Sequence, residues 1–171
     1  MELINKQPDK NEFLCLIQVN KKIIFKICNS YCKNKNDRED LAQEIIYHLW
    51  KSGNNFNPDY KFSTWMYRIA LNVAISFYHK EKKSNRLISF QDSLIDIEDK
   101  EDDLSDVEEN INLLQQFINE LKELDKALMI LYLESKSYNE IAEILGITAT
   151  NVATKINRIK DKMKQKFSII E

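Results

Sequence analysis

The sequence predicts an all-α fold in two small helical units joined by a flexible acidic linker. Three observations carry that prediction. Glycine and proline occur only twice each in 171 residues; turn-rich β and α/β folds need more glycine, and long helices tolerate neither residue well. Apolar residues recur at three- and four-residue intervals along most of the chain, the spacing of one buried helix face. The stretch 91–110, QDSLIDIEDKEDDLSDVEEN, sets ten acids against one lysine, and such a segment buries too little apolar surface to fold alone. The expected units are therefore 1–90 and 111–171.

The elements follow in order. Phe13, Leu16, Ile17, Ile23, Ile24 and Ile27 form one apolar stripe and predict a first helix over 13–31. Polar residues 34–37 break it. Asp37 is expected to cap the next helix, with Glu39 and Asp40 well placed in its first turn. Leu41, Ile45 and Leu49 mark that helix's buried line. Residues 53–60, GNNFNPDY, cannot continue a helix and read as a loop. The helix after it, over 61–83, turns Phe62, Met66, Ile69, Val73 and Phe77 to a core. Beyond the linker, Leu114, Ile118, Leu121, Leu124, Leu128 and Leu131 resume the helical period. Asp125 is expected to split them into two helices.

Composition narrows the chemistry. With 43% hydrophobic and 30% charged residues the chain reads as soluble and globular. No run has the apolar length of a membrane span, and no signal peptide is expected. Cys15, Cys28 and Cys32 lack CxxC spacing, and His48 and His79 are the only histidines. We expect no metal site, no cofactor and a reducing compartment. No paired carboxylates in an apolar setting, nucleophile elbow or phosphate-binding glycine loop appears, so no catalytic residue is expected and the chain does not read as an enzyme.

The net charge of −2 hides a strong segregation. Residues 61–83 carry five cations and one anion, and residues 147–167 carry six cations and one anion. The basic segments flank the acidic one. In 61–83 the cations are interleaved with Phe62, Trp65, Tyr67, Phe77 and Tyr78. Aromatic planes beside cations suit unstacked bases and their phosphates.

Near the C-terminus, Ser137 and Glu140 have the spacing of a capping box. The short helix they open ends at Gly146, a left-handed position that glycine fills at least cost. Thr148 or Thr150 can cap the following helix, whose buried line is Val152, Ile156, Ile159 and Met163. Ala142, Gly146 and Val152 together have the spacing of a helix-turn-helix, whose second helix reads the DNA major groove. Ala149, Thr150, Asn151, Thr154, Lys155 and Arg158 are its candidate exposed residues. Asn and Arg suit base edges and the lysines suit phosphates. A helical hairpin with a basic solvated face is the alternative.

DREDLAQEIIYHLWKS at 37–52, YKFSTWMYRIALNVAISF at 60–77 and SYNEIAEILGIT at 137–148 stand in this order. Together they closely resemble bacterial RNA polymerase sigma factors, and the short two-domain form resembles the extracytoplasmic-function (ECF) group. The resemblance implies region 2 over about 10–90 and region 4 over about 111–168. It implies partners: core RNA polymerase, through the β′ clamp coiled coil and the β flap; promoter DNA; and an anti-sigma protein. It also implies a cytoplasmic, nucleoid-associated protein with no membrane contact of its own.

The resemblance carries roles to matching residues. Asp40, Gln43, Glu44, Ile46 and Trp50 would dock on polymerase, although chemistry alone puts Trp50 in the core. Asn54, Asn55, Phe56 and Asn57 would capture a base flipped from the minus-ten element. Lys61, Ser63, Thr64, Trp65, Arg68 and Asn72 would contact melted DNA, with Lys80, Lys82 and Lys83 holding phosphates nearby. For Trp65, core and DNA-facing readings both stand. Thr148, Thr150, Asn151, Thr154, Lys155 and Arg158 would read the minus-thirty-five element. Two departures stand out: YHKEKK at 78–83 lacks the arginines common in relatives, and Ala153 replaces a frequent basic residue. The competing reading is an autonomous helix-turn-helix regulator with an N-terminal sensor bundle.

Overall fold

A computed structural model describes residues 9–88 and 106–168, and the side chains of all of these except 81–88 and 106–110. Eight α-helices and one short 3-10 turn run through the described residues, without a strand. Helices α1 (Lys10–Val19) and α2 (Lys21–Tyr31) replace the single helix expected over 13–31. The break is at Asn20, whose side-chain amide donates to the Leu16 carbonyl at 2.8 Å, a local bond that competes with the helical ladder. The apolar stripe survives the break: Phe13, Ile17, Ile23, Ile24 and Ile27 are all buried. A capping box between Asp9 and Glu12 starts α1.

Helix α3 (Lys35–Ser52) is capped by Asn34 and not by Asp37. The Asp37 amide donates to Asn34 Oδ1 at 2.8 Å, which puts Asp37 in the first turn, where its charge suits the helix dipole. Leu41, Ile45 and Leu49 are fully buried, as their spacing predicts. A 3-10 turn (Gly53–Asn55) and a loop lead to α4 (Phe62–Ile88). Gly53 matters for space: a Cβ there would lie 3.0 Å from the Phe13 ring. Over it Phe13, Phe56, Phe62 and Trp65 form a cluster with ring centroids 5.2–5.8 Å apart, mostly edge-to-face or tilted, as aromatic quadrupoles prefer.

The second unit holds α5 (Asp106–Glu120), α6 (Glu123–Leu133), α7 (Tyr138–Leu145) and α8 (Ala149–Phe167). Of the expected linker, 91–105 lies outside the described residues, and α5 begins within its last five. Glutamate is a good helix former, so acidity alone is a poor guide to that boundary. The α5–α6 break falls at 121–122, not at Asp125. Asp125 instead lies in the first turn of α6, where its carboxylate faces Lys155 at 3.6 Å.

Ser137 and Glu140 form the expected capping box, and Thr148 caps α8. Gly146 is left-handed at φ 67°, ψ 34°, with open space where a Cβ would be. Gly146→Ala should therefore cost backbone strain alone, about 1 kcal/mol. Asparagine, which tolerates that region better, should cost less. The check is the urea midpoint of unfolding at an unchanged m-value.

The units pack together, α4 against α6 and α7, and α2 against α5. Their seam is rich in polar contacts. The Tyr31 hydroxyl donates to the Glu123 carbonyl at 2.8 Å, and Glu134 receives the Tyr67 hydroxyl at 3.4 Å and pairs with Lys26. Lys126 is buried in the seam, with Nζ 3.0 Å from the Ser30 carbonyl. The same ammonium lies 5.3 and 5.8 Å from the Tyr31 and Tyr78 ring centroids. Burial lowers its pKa, and the aromatic faces offset part of that loss of water.

Candidate nucleic-acid interface

Helix α4 separates two functions by face. Phe62, Met66, Tyr67, Ala70, Leu71, Val73 and Ala74 are buried. Lys61 just before the helix, then Trp65, Arg68 and Asn72 at intervals of four, three and four residues, line one side of it. Lys61, Arg68 and Asn72 are exposed, while Ser63 and Trp65 are half-buried. Thr64 is 7% exposed and belongs to the interior wall. Lys80 is exposed further along, 3.7 Å from Glu44. The side chains of Lys82 and Lys83 lie outside the described ones.

The loop before α4 makes a recess at the head of that stripe. A cavity of about 430 Å³ is lined by Asn55, Phe56, Asn57, Tyr60, Thr64, Trp65, Arg68 and Glu143. This volume is in the range of small-ligand sites. Its back is apolar: Phe56 is 6% exposed and packs on Phe62 and Trp65, so it shapes the wall more than it offers an open face. Asn57 is partly committed, since its Oδ1 accepts the Asp59 amide at 3.0 Å, an Asx turn that sets the loop. Asn55 is exposed at the rim, with its carboxamide open to a base edge. Asn54 is not among the lining residues. Tyr60, 59% exposed, is a flat surface at the mouth that the sequence reading missed; its place after Pro58 and Asp59 in a loop was the available signal.

Helix α3 presents a second surface. Asp40, Gln43, Ile46, Tyr47 and Trp50 are exposed on it, while Glu44 is half-buried beside Lys80. Trp50 is 45% exposed and touches Phe13 edge-on at 6.4 Å. One edge of the indole is anchored in the aromatic cluster and the rest faces solvent, so chemistry alone was half right. Tyr47, 58% exposed, joins this face.

In the helix-turn-helix, Val152, Ile156 and Ile159 are buried, and Met163 packs against the core. Thr150, Asn151, Asn157 and Arg158 are exposed on α8. Thr148 spends its hydroxyl on the cap, and Thr154 donates to the Thr150 carbonyl. Lys155 turns back toward Asp125. Lys160 is also structural: its ammonium contacts the Tyr132 hydroxyl at 2.6 Å and the ring at 4.2 Å. The exposed reading face therefore narrows to Thr150, Asn151, Asn157 and Arg158.

Comparison with known proteins supplies the context for these faces. The sigma-70 region 2 family model matches residues 16–84, and the sigma-70 region 4 model matches residues 111–163. The chain is 28% identical to the ECF RNA polymerase sigma factor SigW of Bacillus subtilis over 172 aligned residues, covering 95% of this chain and 92% of that protein. It is 26% identical to the ECF RNA polymerase sigma-E factor of Haemophilus influenzae, with 95% and 90% covered. Among solved structures it superposes on CnrH in complex with the cytosolic domain of CnrY, at a TM-score of 0.67 and 16% identity, over 95% of this chain and 92% of that one. It also superposes on the sigma factor RpoE in complex with the anti-sigma factor NepR from Bartonella quintana, at 0.61 and 17%, over 95% and 98%.

Proposed function

The chain belongs to the ECF sigma factors, which bind RNA polymerase and direct promoter-specific initiation, and we propose that α4 with its asparagine loop recognises and opens the minus-ten element. The stripe Lys61, Trp65, Arg68 and Asn72, running out of a cavity rimmed by Asn55, is the observation that carries this reading. A duplex offers its bases only after unstacking, at a cost of a few kcal/mol per base. The cavity supplies a polar edge at Asn55 and an aromatic wall at Trp65 and Tyr60 for a base once it is out. Arg68 and Lys61 hold the strand that leaves the stack.

The exposed side of α3 is the polymerase-docking face, with Asp40 and Gln43 beside Ile46 and Trp50. The helix-turn-helix reads the minus-thirty-five element through Asn151 and Arg158, with Thr150 and Asn157 alongside. The initiation chemistry belongs to the polymerase. Solved relatives include sigma factors captured with anti-sigma proteins, and a partner of that class fits this chain also. The units 1–90 and 111–171 divide the work into melting and duplex reading.

The test is run-off transcription with purified chain and core polymerase on promoter DNA. The wild-type chain should direct specific initiation. Arg68→Ala should lower open-complex formation roughly tenfold with polymerase binding unchanged, the scale of one charge-assisted phosphate contact. Tight operator binding without polymerase, and no binding to polymerase, would establish the autonomous-regulator reading instead.

A further inference from the structure

The cavity at the head of α4 is not built by the first unit alone. Glu143, on α7 of the second unit, completes its lining beside Arg68, Thr64 and Trp65. One turn earlier, the Glu140 carboxylate lies 3.6 Å from the Lys61 ammonium. The two glutamates are three residues apart and share a side of α7, while Ile141 and Ile144 bury the other side in the helix-turn-helix core. Two carboxylates thus stand over the cations and the recess that the functional reading gives to a DNA strand.

We propose that α7 occupies the minus-ten face in the free chain as an internal substitute for single-stranded DNA, so that the second unit competes with the promoter strand for α4. This rests on the assignment of α4 as the strand-binding face. Glu140 alone would prove little, because the capping box with Ser137 already accounts for it. Glu143 is the informative residue. It is exposed, makes no cap, and nothing in the helix-turn-helix fold calls for an acid at that position.

The seam behind α7 is suited to reversible closure. Its contacts include single hydrogen bonds and partly exposed ion pairs, each worth little by itself. Lys126 gives up water when the units close and regains it when they part. Meanwhile the exposed residues of α3 are open in the closed arrangement. Polymerase can therefore dock on α3 while the DNA face is still covered, and separation of the units then uncovers it.

The experiment is fluorescence anisotropy of a labelled single-stranded DNA oligonucleotide of mixed sequence, titrated with the full chain at low salt and without polymerase. Glu143→Gln should bind roughly three- to tenfold more tightly than wild type, with the gain shrinking as salt rises. Tyr31→Phe changes no charge and is remote from the cavity, but it loses the bond to the Glu123 carbonyl. It should also bind severalfold more tightly, because it loosens closure. Adding Arg68→Ala should remove both gains.

Unchanged affinity in Glu143→Gln and Tyr31→Phe would overturn occlusion. A gain in Glu143→Gln alone would also overturn it, by reducing the effect to local charge repulsion. If Arg68→Ala left every affinity the same, the strand-binding role of α4 would fall and occlusion with it. Run-off transcription with core polymerase, scored separately, shows whether that role fails or only the competition does.

Discussion

The double variant Asp40→Arg, Gln43→Ala is expected to lose binding to core RNA polymerase by about a hundredfold or more, with no change in fold. Both residues are exposed on α3 and neither contacts the core line of Leu41, Ile45 and Leu49. Surface changes of this kind ordinarily move stability by less than about 0.5 kcal/mol. The effect on binding is larger because a reversed charge beside Ile46 and Trp50 puts an unpaired cation into a surface that must be desolvated on docking. Binding to immobilised core polymerase, paired with a thermal melt, separates the two quantities. Parental affinity with a parental Tm would remove the docking role from α3. A lowered Tm would mean that Asp40 supports the helix start, where acids are favourable.

Why α3 was legible in this way, and other parts were not, comes down to local against non-local information. Leu41, Ile45 and Leu49, the capping box at Ser137 and Glu140, and the left-handed Gly146 are each set by a few neighbouring residues, so pattern alone finds them. Asn20 and Asp125 went the other way. An asparagine inside a continuous apolar stripe breaks a helix only if its side chain captures a nearby carbonyl, and Asp125 looks like a cap until Lys155 of α8 is brought beside it. The site divides similarly. The α4 stripe follows from helical spacing, whereas the commitment of Asn57 to a turn, the burial of Phe56 and the loss of Lys155 to an ion pair depend on partners far away or on loop geometry. Glu143 was the least visible of all, since its neighbours across the seam are some 75 to 88 residues away in sequence.

Trp65 is where packing and function meet, and the pair Trp65→Ala and Trp65→Phe should separate them. Its ring lies 5.8, 5.4 and 5.4 Å from those of Phe13, Phe56 and Phe62, and it also lines the cavity. Truncation to alanine empties one position in a cluster that also props Gly53 and the loop. A fully buried tryptophan costs about 3–5 kcal/mol on truncation. A half-buried one should cost roughly 2–3 kcal/mol, enough to lower Tm by about 8 °C or more in a chain of this size. Phenylalanine keeps most ring contacts, so Trp65→Phe should retain most of the stability. It loses the wider indole face at the cavity, and a stacked base is worth about 1–3 kcal/mol. Open-complex formation by Trp65→Phe, followed by permanganate reactivity of unpaired thymines well below its Tm, should therefore drop about fivefold or more while the melt stays near the parent's. A normal footprint in Trp65→Phe, together with the Tm loss in Trp65→Ala, would make Trp65 a core residue only. The strand would then be held by Arg68, Lys61 and Tyr60, with the aromatic cluster serving to keep the loop in place.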